Sequence, residues 1–372
     1  MIGLFAAEGV RGIANAELTP ELAFKTGQAG AVALSEGKQL PRRILIGRDT
    51  RVSGDMLEAS ISAGFCSVGV QVVCLGIIPT PALAYLVKKY KMDAGVMISA
   101  SREPMEYNGI KFFDSDGRRI KAEAESIIEE YILGKRDIAP FLKTGGDIGR
   151  ITRSHTALRD YVDHARTTSD VDFGGMKIAI DCANGAAYQC AKLLFKELGA
   201  DVETINNSPD GANINSGCGM LHPEKLSDFV VSHRCTFGIV LDGDADRVLA
   251  IDENGNLLGG DDILILCAHS LEKSGRLCHN TVVATAAGNA ELVQRLSALG
   301  IDCAQADDGE RNVLDVMLKT GCSIGGDSAG HIIFSDFGFT GDGLVTAVQL
   351  AAAFKKSGKS ALSELAKELR IN

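Results

Sequence analysis

A chain of 372 residues is too long for one ordinary domain and calls for two or three, and an apolar share of 45% supplies cores for them. The absence of tryptophan and an aromatic share of 5% make those cores aliphatic, as in α/β proteins, and 42 glycines suit many strand-to-helix turns. A net charge of -10 argues against non-specific nucleic-acid binding, so any phosphate site must be a local cluster of Arg and Lys. The ten cysteines show no CxxC pair and no Cys/His zinc spacing. Several, Cys74 and Cys267 among them, lie in apolar runs where Cys acts as a small hydrophobe, and all read as reduced. The N-terminus lacks the basic start and apolar core of a signal peptide, and the most apolar window, 68–87, is broken by Gln71, Gly76, Pro79 and Pro81. A cytoplasmic protein without a membrane span is expected.

In chain order, Glu8-Gly9-Val10-Arg11-Gly12 is a Gly-flanked arginine that reads as a turn, and Thr19 caps a helix that Pro20 opens and that runs to about Leu34. Arg43 to Gly47 is a strand, Ser53 caps a helix reaching about Val68, and Val70 to Leu75 is a strand. A helix from Pro81 to Tyr90 precedes the apolar strand Ala94 to Ser99. Asn108-Gly109 then reads as a turn into a strand ending at Phe113, and 122–133 as a helix. After a linker over 142–147, helix 156–166 leads to strand 177–181, helix 187–198 and strand 201–205, and a polar loop spans 206–218. Pro223 opens a further helix, and strand 236–241 ends in Asp242-Gly243-Asp244-Ala245-Asp246-Arg247. A third unit follows: helix 261–271, strand 281–285, helices 290–299 and 310–319, the loop Gly325 to His331, strand 332–334 and helix 341–355. The predicted fold is α/β, three consecutive β/α domains with mixed, mainly parallel sheets, over 1–147, 148–250 and 251–372.

Two stretches carry chemistry. Ser99-Ala100-Ser101-Arg102-Glu103-Pro104 leaves a buried strand at its carboxyl end, where ligands bind in open α/β sheets. A serine there is a nucleophile or merely a turn residue. The stronger signal is Asp242, Asp244 and Asp246, three carboxylates on alternate residues that suit a hard cation such as magnesium. A calcium loop of the EF-hand kind fails because Arg247 stands where glycine is needed and a strand precedes it. A dehalogenase-type phosphatase with Asp242 as nucleophile, or an acidic surface turn, also accommodates the spacing. Mutual repulsion of the carboxylates favours a metal site.

Taken together, Gly-Val-Arg-Gly at 9–12, Ile-Ser-Ala-Ser-x-x-Pro at 98–104, Asn-Gly-Ile-Lys-Phe-Phe at 108–113, Asp-Gly-Asp-Ala-Asp-Arg at 242–247 and Gly-x-x-x-Gly-His at 326–331 resemble the α-D-phosphohexomutases in order and spacing. The bacterial phosphoglucosamine mutase branch is the nearest match. Linking segments, including Gly47-Arg48-Asp49-Thr50-Arg51, agree over essentially the whole chain. The resemblance implies that Ser101 carries the phosphoryl group and that Asp242, Asp244 and Asp246 bind Mg2+ with an oxygen of phospho-Ser101. It also implies that Arg11 and Arg247 stabilise the transferring phosphoryl, and that Lys111 and His331 do acid/base work near the sugar hydroxyl. Phosphoryl transfer needs just such parts.

Departures shape the functional expectation. The family's Ser-His-Asn-Pro is Ser101-Arg102-Glu103-Pro104 here, and Arg102 is placed to clamp phosphate. Ala6-Ala7-Glu8-Gly9 replaces Gly-Thr-Asp-Gly, the sugar loop reads Gly326-Asp327-Ser328-Ala329-Gly330-His331, and Asp308-Gly309-Glu310-Arg311 replaces Val-Gly-Asp-Arg. Asp327, Ser328 and Arg311 join Arg102 as substrate-binding candidates. The family's fourth, phosphate-gripping domain is expected to be absent, the chain stopping after 362–371. The expectation that follows is a phosphatase hydrolysing a phosphomonoester of a sugar or nucleoside. Alternatives are a phosphoglucosamine mutase, truncated or complemented by a partner, and a non-catalytic regulatory relative. The expected partner is a small phosphorylated molecule rather than nucleic acid or membrane, with a homodimer admitted.

Overall fold

The computed structural model describes residues 5–6, 9–35, 40, 42–285 and 290–369. Ala7 and Glu8 of the altered opening, and Ile371 of the closing stretch 362–371, lie outside them. The chain divides into two compact units, residues 1–161 with 209–216, and residues 162–208 with 217–372.

The first unit holds a seven-stranded sheet made of β1 (Phe5–Ala6), β2 (Gly9–Ile13), β3 (Arg43–Arg48), β4 (Gln71–Ile77), β5 (Ala94–Ile98), β6 (Tyr107–Phe113) and β7 (Ile151–Arg153). Their spatial order is β1-β2-β6-β5-β3-β4-β7. β5, β3, β4 and β7 pair in parallel, while β6 is antiparallel to both β5 and β2. The parallel centre is built from Ile44, Leu45, Ile46 and the wholly buried run Ala94–Ile98, as expected of strands covered on both faces. Helix Pro20–Leu34 starts as its sequence dictates, the Thr19 hydroxyl accepting from the Leu22 amide at 3.2 Å with Pro20 in the first turn.

Three local readings are corrected. Gly9–Ile13 is a strand, not a turn, because β2 pairs along β6 from Val10↔Ile110 to Ile13↔Tyr107. Asn108-Gly109 lies inside β6, and the turn comes earlier, between β5 and Tyr107. Gly109 is there for close approach: a Cβ on it would stand 2.7 Å from the Ser99 carbonyl oxygen. Ser53 is the first residue of helix Ser53–Ser67 rather than its cap, and its hydroxyl accepts from Asn108 Nδ2 at 2.9 Å. The position before it, Val52, is fixed instead by its amide donating to the Gly211 carbonyl at 2.9 Å.

The second unit contains two sheets. In one, β8 (Lys177–Asp181), β9 (Asp201–Ile205), β10 (Phe237–Leu241), β11 (Val248–Ile251) and β12 (Leu257–Leu258) lie in the order β12-β11-β10-β8-β9. In the other, β13 (Thr281–Thr285), β14 (Asp302–Ala306), β15 (Ile324–Gly326) and β16 (Ile332–Phe334) lie in the order β14-β13-β15-β16. β1, β7, β11, β12, β14 and β15 add strands that the apolar pattern did not reveal, since they are short or border on polar residues, and β15 takes Gly325 and Gly326 out of the expected loop. All ten cysteines are free, and burial pushes the Cys190 and Cys267 thiols up to about 12, leaving them inert. Among the described residues no helix is long and apolar enough to cross a membrane.

Candidate active site

In the first unit, the chain leaves β5 at Ile98 and turns sharply through Ser99-Ala100-Ser101. Ser101 is buried and holds a positive φ of 51°, an uncommon conformation for a residue with a side chain. Its amide donates to the Ser99 hydroxyl at 3.0 Å, and that hydroxyl donates to Asp49 Oδ2 at 2.7 Å. Asp49 also accepts from the amide and the Nε of Arg51, both at 2.9 Å. Arg51 is fully buried and turns its remaining donors on the loop, reaching the carbonyls of Ser101 at 3.0 Å, Glu103 at 2.8 Å, and Pro104. Asn215 Nδ2, from residues 209–216, donates to the same Ser101 and Glu103 carbonyls at 2.8 and 3.0 Å.

Around this loop, Arg11 Nη1 lies 3.2 Å from Glu103 Oε1. Arg102 is exposed, and Lys111 is buried on β6 at the register position opposite Met97. The altered fingerprint therefore does something definite here, since Glu103 gives a family arginine an internal carboxylate partner.

In the second unit, β10 and β11 are antiparallel neighbours with Leu241 opposite Val248, so residues 242–247 form the loop of a hairpin. Ala245 turns the loop with a φ of 56°. Gly343, at the start of helix Gly343–Ser357, lets it sit close: its amide donates to the Ala245 carbonyl at 3.0 Å, and a Cβ there would stand 2.4 Å from the Arg247 carbonyl oxygen. Asp242, Asp244 and Asp246 are buried, with ligand atoms all within 4.8 Å of one another. At an effective dielectric constant of about 20, each such pair of charges repels by roughly 3–4 kcal/mol. Arg247 Nε stands 3.5 Å from both Asp242 and Asp246 and offsets part of this. Convergent hard oxygen donors in a buried loop fit a magnesium ion.

The sugar-loop residues join this cluster. His331 Nδ1 lies 2.7 Å from Asp327 Oδ2 and its Nε2 3.5 Å from Asp246 Oδ1. Burial favours the neutral imidazole, but Asp246 and Asp327 outweigh it and hold His331 well above the usual histidine range. Burial works against the Asp327 carboxylate too, yet the His331 hydrogen bond keeps it below its ordinary value. The structure thus brings Asp242, Asp244, Asp246, Arg247, Asp327 and His331 together in the second unit. Ser328 is exposed on the same loop, and Arg311 is half-buried in the first turn of helix Glu310–Thr320. Ser101, Arg102, Lys111 and Arg11 belong to the first unit. Sequence reasoning missed the residues behind Ser101. Asp49 and Arg51 stood out only as part of a matching linker, and a charged pair just past a buried strand was the available signal. Nothing in one sequence points from Ser101 to Asn215.

Models of the phosphoglucomutase/phosphomannomutase α/β/α domains I, II and III match residues 3–138, 159–255 and 259–371. The chain belongs to this family, the α-D-phosphohexomutases. A phosphoglucosamine mutase of Clostridium novyi is 51% identical over 363 residues, spanning 98% of this chain and 80% of the relative. Among solved structures, a phosphoglucomutase/phosphomannomutase family protein of Burkholderia thailandensis superposes with a TM-score of 0.86 at 24% identity, over 99% of this chain and 80% of that one. The N-acetylphosphoglucosamine mutase of Aspergillus fumigatus, solved with GlcNAc-6P and magnesium, gives 0.64 at 16%, over 99% of this chain and 80% of that one. Both share the fold.

The expected phosphatase is overturned by these relatives, since a protein half identical over nearly the whole chain is a mutase. The departures that suggested hydrolysis leave Ser101, Lys111, His331 and the three aspartates in place. Glu103, the one carboxylate they add to the serine loop, is engaged with Arg11 rather than set to activate water.

Proposed function

We propose that the chain is a magnesium-dependent phosphoglucosamine mutase that interconverts the 6- and 1-phosphates of glucosamine through phospho-Ser101. The observation that supports it most is the half identity to a phosphoglucosamine mutase, combined with a serine loop and an aspartate loop that retain the parts of phosphoryl transfer. Asp242, Asp244 and Asp246 would hold Mg2+, which when bound supplies positive charge to the phosphoryl oxygens. The bond from Ser101 Oγ to phosphorus breaks as a sugar hydroxyl forms its own, and the hydroxyl proton passes to Lys111, while His331, kept protonated by Asp246 and Asp327, acts as the acid beside the sugar oxygens. The second half-reaction returns the other phosphate of the bisphosphorylated sugar to Ser101. Arg11 and Arg247 counter charge on the moving group, while Arg102, Arg311, Asp327 and Ser328 hold the phosphosugar.

Phosphorus NMR of the full chain with magnesium, glucosamine 6-phosphate and a trace of glucosamine 1,6-bisphosphate tests the reading. The 1-phosphate resonance should grow in and then vanish from fresh reactions containing a chelator. Release of inorganic phosphate alone, or no change, would refute it.

The Arg11–Glu103 pair makes a smaller prediction. Half-exposed pairs are worth roughly 0.2–1 kcal/mol, a factor of about 1.5–5. Glu103→Gln removes one carboxylate charge from beside the guanidinium and strengthens its pull on phosphate, so KM for the phosphosugar should fall by about that factor. An unchanged or raised KM would show that the pair does not restrain Arg11.

A further inference from the structure

We propose that Asn215, acting with the buried Asp49–Arg51 pair, is the positioning residue that locks Ser101 into its reactive backbone pose. The proposal rests on Ser101 being the phosphoryl carrier.

A serine at a φ of 51° is strained. Such strain costs on the order of 1–3 kcal/mol and persists only where the surroundings over-determine it. Here they do so from both sides of the peptide. The Ser101 amide is held through Ser99 to Asp49. The Ser101 and Glu103 carbonyls turn toward one place, where Arg51 and Asn215 each donate to both. Converging carbonyl oxygens repel unless donors stand between them. The guanidinium supplies the charge, Asp49 balances it, and the Asn215 amide completes the set without adding charge.

Asn215 is itself held. The strap 209–216 is braced by Asp210 Oδ1, which accepts from the amides of Ala212 at 2.8 Å and Asn213 at 2.9 Å. It docks on the first unit where the Gly211 carbonyl accepts from Val52. Asn215 therefore acts as a fixed donor. Phosphoryl transfer depends on in-line geometry, and a misplacement of about 1 Å can cost on the order of 100-fold in rate.

Two readouts on Asn215→Ala in the full chain test this. The first needs no activity: tryptic cleavage after the exposed Arg102, followed by mass spectrometry, should quicken about tenfold or more while other sites keep their rates. The second is single-turnover phosphorylation of Ser101 by glucosamine 1,6-bisphosphate. It should slow by about 10–100-fold with the binding constant within about threefold, and Asn215→Gln should recover part of the rate. Asn215→Asp, which swaps the donor for an acceptor facing two carbonyls, should be worse than Ala on both counts. Should Asn215→Ala not fold, Ser99→Ala leaves the strap intact, loosens the Ser101 amide and is read the same way. Unchanged phosphorylation, with or without faster cleavage, overturns the proposal. A wild-type chain that never takes phosphate on Ser101 would sink the mutase reading and the role of Asn215 with it. A wild type that does, beside an unaffected variant, sinks the positioning role alone.

Discussion

Ser101→Gly should lose phosphoryl transfer by at least about 10³-fold and still melt a few degrees higher than the wild type. The first effect follows from the missing nucleophile, because no other group in the serine loop takes its place. The second follows from the backbone. Relief of strain at a φ of 51° is worth about 1–3 kcal/mol, and the greater freedom of glycine in the unfolded chain takes back roughly 0.5–1. A net gain of about 1 kcal/mol corresponds to about 2–4 °C for a unit of this size. Ser101→Ala separates the two effects, since it removes the hydroxyl but keeps the strained conformation, so it should be as inactive with no gain in melting temperature. Thermal denaturation and the phosphorus NMR assay on the three proteins decide the matter. A glycine variant less stable than the alanine one would show that the loop stores no strain.

Asp244→Asn should stabilise the metal-free protein and abolish the response of its stability to magnesium. In chelator, the wild type keeps three close carboxylates in a buried loop, and removing one charge cancels two repulsions of roughly 3–4 kcal/mol each at an effective dielectric constant of about 20. Arg247 already relieves Asp242 and Asp246, so a gain of about 3 kcal/mol is the expected scale. With magnesium at about 100 times its dissociation constant, the wild type should gain about 2.7 kcal/mol, and the variant, with its donor set reduced, close to nothing. Melting curves with and without the cation measure both shifts. Equal magnesium shifts in the two proteins would remove the aspartate loop from consideration as the metal site.

Much of the architecture could be read from the chain because it rests on local rules. Thr19-Pro20 marks a helix start, and the uninterrupted apolar run Ala94–Ile98 marks a strand buried on both faces. The misread places are those where a distant partner decides. Gly9–Ile13 is extended because β6 lies beside it, and Asn108-Gly109 avoids a turn because Ser99 needs a neighbour without a side chain. Of the candidate residues, Ser101 and the three aspartates were legible, since the proposed chemistry demands particular residue types. Their supports were not. Asn215 is an ordinary loop asparagine until the coordinates put it on two carbonyls 114 and 112 residues away. The mistaken expectation of hydrolysis leaned chiefly on an expected missing phosphate-gripping domain, and also on Arg102 and Glu103 as lost identities, whereas Glu103 has a partner in Arg11.

The strap 209–216 also sets how this protein can be taken apart. Its eight residues belong with the first unit, yet the chain on either side of them belongs with the second. A fragment cut after Tyr161 would keep the whole seven-stranded sheet but remove the Gly211 acceptor from the Val52 amide and the Asn215 donor from the Ser101 and Glu103 carbonyls. Swapping the first unit between relatives therefore calls for grafting two separate segments, and a library of such chimaeras divided at a single junction would pair each serine loop with a foreign asparagine.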